Sequence, residues 1–299
     1  MSAPSTPRTL RLTLAYDGVG YHGWQVQPTL STIQGELAAA LAHVTGEQFL
    51  PQASGRTDAG VHALAQVVSF SLHAPIPAPA LLRALNRRLP AAIRVLSLDD
   101  APATFHARFG ATAKTYEYRI FNRFQDPHSL AETPCPPTLA RYTWDCPWRL
   151  DLPALQSCAA SILGTHDFTS FAAVDPERDA DNYIPPTATP GDLPPHIPVG
   201  NIRTVFSSEW FATPAPDPLL TYRIRGNGFL HHMVRNLVGT FVDAACARTS
   251  PADFPHILAA RNRSAAGATA PPKGLFLVSV EYAESLQIPT ETPAPNRNK

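Results

Sequence analysis

The stretch SGRTDAGVHALAQVVSFSL, residues 54–72, changes character halfway along. Its first half is a turn: glycine tolerates positive φ, and aspartate folds back on its own backbone. Its second half alternates, with Val68, Phe70 and Leu72 on one face, which predicts a strand buried on one side. A turn needs the glycines and has a use for Asp58, but it has no use for Arg56. The charged residues therefore sit on a loop that feeds a strand, with a short extended piece near Phe49 leading in from the other side.

Working outward, Leu10, Leu12, Leu14 and Tyr16 alternate with Arg11, Thr13 and Ala15, a second one-faced strand closed by Asp17-Gly18. Ile33, Leu37, Leu41 and Val44 recur at helical spacing behind Ser31 and Gln34, which read as a capping box, and Gly46 stops the helix. Leu82, Leu85 and Leu89 predict another helix, and Ile93 and Val95 another strand. The first third thus reads β-α-β-β-α-β.

The remainder repeats the order without repeating the sequence. Tyr116, Tyr118 and Ile120 mark a strand, Leu152, Leu155 and Ile162 a helix, and 205–211 and 220–224 two strands. A long helix over 229–247 and a short one around Ile257 precede a last strand with Phe276, Val278 and Val280. The expected fold class is α+β: two ferredoxin-like or RRM-like β-α-β-β-α-β halves, each an antiparallel sheet with helices on one face. The halves are expected at 1–108 and 109–284. A proline-rich, acidic insertion occupies 174–200, an irregular excursion 126–147, and a frayed tail 285–299.

At 299 residues the chain is long enough to bury a substantial core. Its apolar runs are too short for a membrane span and residues 1–8 lack an apolar signal core, so a soluble, cytoplasmic protein is expected. Cys135, Cys146, Cys158 and Cys246 form no Cys-x-x-Cys pair, which fits a reducing compartment and speaks against a zinc ribbon. The 24 basic residues balance the 24 acidic ones, which alone does not suggest nucleic acid. The basic residues are nearly all arginine, the side chain whose planar fork suits phosphates and base edges. Arg83, Arg87 and Arg88 are candidates for a phosphate-facing patch.

Cofactor signals are missing. There is no P-loop, no Gly-x-Gly-x-x-Gly after a strand and no nucleophile elbow. No His-Glu-x-x-His occurs, and the adjacent His231 and His232 cannot both face one site from a helix, so no metal is expected. What remains is Asp58 beside Arg56, with aromatic and basic partners elsewhere. Tyr116 and Tyr118 share a strand face, and at least one of them is expected to serve packing alone. Arg235 follows Val234 at the edge of a buried helical stripe, where it costs desolvation unless a carboxylate or phosphate meets it. Solvation is the alternative.

These residues fall within six blocks in a fixed order: AYDGVGYHGWQVQP, SGRTDAGVHA, FHARFGATAKTYEYRIFN, GTHDFTSF, GNGFLHHMVRNLVG and PPKGLFLVSVEY. Together, from Ala15 to Tyr282, they resemble the tRNA pseudouridine synthase I (TruA) family. The resemblance implies the pseudouridine synthase fold and isomerisation of uridine in the anticodon stem-loop of tRNA. It further implies a homodimer that uses neither cofactor nor metal. It makes Asp58 the catalytic carboxylate, Arg56 the arginine that holds the flipped site open, Tyr116 the ring on the target base, and Arg235 the basic partner of the aspartate. An RNA-binding module without chemistry and a nucleoside hydrolase are the rivals. The first would need Asp58 only for the turn; the second would ordinarily need a second carboxylate.

Overall fold

The computed structural model describes residues 6–124, 131–174, 200–213 and 219–284. Of the insertion expected at 174–200 only the two end residues are described, and the tail at 285–299 lies outside the described residues. Among the described residues, ten strands form one sheet: β1 (Arg8–Tyr16), β2 (Gln52–Ala53), β3 (His62–Leu72), β4 (Ile93–Ala101), β5 (Ala111–Asn122), β6 (Trp144–Cys146), β7 (Gly164–Asp167), β8 (Ile202–Ala212), β9 (Leu220–Gly226) and β10 (Leu275–Tyr282). Their order is β4-β1-β3-β10-β5-β9-β8-β7, with β2 on β3 and β6 on β5. Nearly every pairing is antiparallel. The exceptions are the short β5–β6 contact and the seam where β3 meets β10, with Phe276 opposite His62 and Leu277 opposite Ala63.

Strand β1 shows why the sheet forms. Leu10, Leu12 and Leu14 are wholly buried while their neighbours are partly solvated, so the alternating pattern puts one face inward. Each such leucine contributes about 1.5–3 kcal/mol of apolar burial. Helices α1 (Ile33–Thr45) and α2 (Ala78–Arg88) pack against each other in the first half. In the second half α4 (Leu152–Ala160) packs on β8 and on α5 (Met233–Ala245), and α6 (Phe254–Ala259) follows α5.

Three local expectations change. The cap of α1 is Thr32, whose hydroxyl accepts from the Gly35 N–H, and Ser31 is exposed. Gln34 instead ties two loops, accepting from the Val26 N–H and donating to the Pro51 carbonyl. The long helix starts at Met233 rather than Phe229, because His232 adopts a left-handed φ of 60° and breaks the helical path there. The excursion at 126–147 is not wholly irregular: its described part holds a one-turn helix, α3 (Pro137–Ala140), and strand β6.

Candidate active site

The loop before β3 is held from all sides. The Ser54 hydroxyl donates to Gln66 Oε1 at 2.6 Å, and Gln66 returns a bond to the Gly55 carbonyl at 2.8 Å. The Trp24 N–H reaches the Thr57 carbonyl at 3.0 Å, and the Thr57 and Tyr16 hydroxyls lie 2.8 Å apart. Burial pushes the Tyr16 phenol up to about 12, so it stays a neutral partner. Gly23 has a φ of +82°, and a Cβ there would stand 2.6 Å from the Thr57 carbonyl oxygen. The loop backbone passes where only glycine leaves room for it.

Lys114 supports the loop from β5, donating its amine to the Ser54 carbonyl. Burial, followed by the positive fields of Arg108 and Arg203, lowers that amine to about 8. The sequence shows no sign of this role, since Lys114 reads as one of three scattered lysines.

Asp58 sits on this loop shortly before β3 begins at His62. There it meets the start of α5, which belongs to the other end of the chain. Arg235 Nη1 donates to Asp58 Oδ2 at 2.7 Å, and Arg235 Nε donates to the Ala270 carbonyl at 2.8 Å. Both side chains are largely buried, at 12% exposure for Arg235 and 17% for Asp58. A carboxylate therefore satisfies the arginine at the edge of the buried stripe.

Tyr116 lies close enough for the Asp58 charge to be felt. Burial first, then Tyr16 and Asp58, raise its phenol far above the usual range. Its ring meets Phe229 edge-on at 5.1 Å and is only 8% exposed. Tyr118 is the packing tyrosine, fully buried, with its hydroxyl donating to the Pro271 carbonyl at 2.7 Å. Arg56 sits two residues before Asp58 on the same loop, partly buried. Arg83, Arg87 and Arg88 are exposed on α2.

The histidine pair overturns an expectation. His231 and His232 both face Asp58, with Nε2 atoms 3.6 Å from Oδ1 and 3.4 Å from Oδ2 respectively. Adjacent residues can converge here because neither lies within the helix: His232 is its left-handed cap and His231 precedes it. Burial lowers the His232 imidazole, an effect that Asp58 partly offsets. Ligand atoms of Asp58, His231 and His232 fall within 4.8 Å of one another, close enough to hold a metal ion. The guanidinium of Arg235 on the same carboxylate opposes a cation there. The signal in the sequence was the doublet itself, and a helical assumption concealed it.

The site thus sets one carboxylate against an arginine from a distant segment, with a buried tyrosine near enough to feel its charge. A family model described as tRNA pseudouridine synthase matches residues 13–110 and 195–283. A protein of Solibacter usitatus named tRNA pseudouridine synthase A is 46% identical over 275 residues, covering 92% of this chain and all of the relative. Relatives of the same name from Moorella thermoacetica and Bacillus pumilus are 41% and 37% identical, each over 91% of this chain and at least 98% of their own length. The chain belongs to the tRNA pseudouridine synthase A family.

Proposed function

We propose that this protein isomerises uridine to pseudouridine in the anticodon stem-loop of tRNA, with Asp58 as the essential carboxylate. The observation that carries the proposal is the Asp58–Arg235 pair: a charged, largely buried contact between residues 177 apart in sequence. Such a pair is costly to bury, and replacing it with apolar packing is often neutral or stabilising. A place in the chemistry accounts for such a pair.

The reaction breaks the bond from ribose C1′ to N1, turns the uracil over and rejoins it through C5. Atoms and electrons balance without any added reactant, so the chemistry requires no cofactor. Asp58 acts at the sugar, either by attacking C1′ or by taking a ribose proton, and Arg235 holds it aimed. The target base must leave the RNA stack, at a cost of about a few kcal/mol. Tyr116 then stacks on it, while Arg56 props the vacated space. The exposed arginines of α2 meet backbone phosphates.

The strand orders support the two-half ferredoxin-like arrangement. One half runs β4-β1-β3-β2 and the other β10-β5-β9-β8, the same fourth-first-third-second order, divided near residue 108. A cytoplasmic homodimer completes the proposal.

Asp58→Asn tests it. The variant should fold and bind tRNA like the wild type yet release no C5 hydrogen from labelled tRNA and form no pseudouridine. Turnover by Asp58→Asn would remove the carboxylate from the mechanism, and free uracil from the wild type would make the protein a hydrolase.

A further inference from the structure

His231 is placed to do what Asp58 leaves undone. Its Nδ1 lies 3.3 Å from the Val174 carbonyl oxygen, and the Ala173 N–H donates to its own carbonyl at 3.0 Å. A carbonyl oxygen can only accept, so Nδ1 carries the hydrogen and, in the neutral ring, Nε2 is a bare lone pair. That lone pair faces Asp58 Oδ1 at 3.6 Å. Arg235 and His232 lie against the other oxygen, Oδ2. The imidazole is part exposed, at 31%, so the proton can pass on to solvent.

Pseudouridine formation creates a need for such a group. Once C5 has joined C1′, it still carries its original hydrogen, and the ring holds an N1=C6 double bond. We propose that His231 is the base that removes this hydrogen, a reading that rests on the proposed isomerisation. Nε2 takes the proton from C5, and the C–H electron pair becomes the C5=C6 double bond. The N1=C6 pair moves to N1, which takes a proton from water. One proton leaves the ring and one arrives, and the imidazolium gives its proton to solvent. C1′ reacts beside Asp58, and C5 is one bond from C1′, so C5 comes within reach of a nitrogen 3.6 Å from Oδ1. Asp58 then pairs with the imidazolium that forms.

The experiment compares the full chain with its His231→Gln variant on tRNA bearing hydrogen or deuterium at uracil C5. His231→Asn, a shorter amide, serves as a second variant should the first fail to fold, and tRNA binding is measured in parallel. Loss of the base should slow pseudouridine formation about 10²-fold or more. It should also raise the C5 isotope effect above that of the wild type, because C5–H cleavage becomes rate-limiting. A structural role would slow the reaction without changing the isotope effect, and that result, or an unchanged rate, overturns the assignment. Release of C5 hydrogen by the wild type while the variants keep its isotope effect rejects His231 alone. No release by the wild type rejects the isomerisation and this inference together.

Discussion

Two backbone turns meet at Asp58, and they are built on opposite principles. The loop at 54–61 and its neighbour at 18–23 place glycines where the chain must take positive φ or pass close by, at Gly23 and at Gly60. The turn at 229–233 does the same work with a histidine, His232 at φ +60°. The first turn is locally encoded, since glycine lowers the cost of its conformation wherever it occurs. The second is imposed from outside: a non-glycine left-handed residue costs about 1–2 kcal/mol. Packing of α5 and the contacts at Asp58 must hold it there.

The contrast can be broken at either turn. The largest effect is expected from Gly23→Ala, which adds a Cβ 2.6 Å from the Thr57 carbonyl oxygen at a φ of +82°. Backbone strain of about 1–3 kcal/mol, with the collision on top, should lower the thermal midpoint and displace Asp58. Calorimetry and turnover together would show it. A variant with normal stability and activity would mean that the loop is held by its hydrogen bonds and not by close passage of the backbone.

Next comes Arg235→Met, which keeps the apolar stem but leaves Asp58 Oδ2 without its 2.7 Å donor. A cost of about 1.5–3 kcal/mol in chemical denaturation is expected, with a larger loss in turnover than in tRNA binding. Equal losses in both would make the arginine a docking residue instead.

The smallest effect should come from His232→Gly. Relief of left-handed strain is about 1–2 kcal/mol, and the entropy of an unfolded glycine takes back about 0.4–1 kcal/mol. Stability should therefore change little or rise slightly. A loss above about 2 kcal/mol would show that the imidazole, through Asp58 and its 4.0 Å contact with His231, is what holds the turn.

The periodic elements were legible for an ordinary physical reason: each strand or helix buries one face, and burial writes its period into the chain. That is why β1, β3, α1 and α2 emerge from the spacing of apolar residues, whereas the helix starts at Thr32 and His232 and the short strands β6 and β7 do not. Asp58 and Arg235 stood out as candidates because costly charges stood where packing did not ask for them, and Arg56 and Tyr116 because the blocks around them resemble a known family. Lys114 and the histidine pair did not, since their roles depend on backbone atoms from other segments. Those atoms are the Ser54 carbonyl for Lys114 and the Val174 carbonyl for His231.

By itself, then, the sequence determined the main strands and helices, because local backbone preference and one-sided burial act within a few residues, and it singled out Asp58 as the candidate carboxylate. Only the tertiary structure decided that β3 runs parallel to β10, which brings a loop at residue 58 against a helix at residue 233. It alone decided that two adjacent histidines converge on one carboxylate. Both outcomes rest on interactions between segments far apart in the chain, whose energies depend on distance in space, and no spacing along the sequence records that distance.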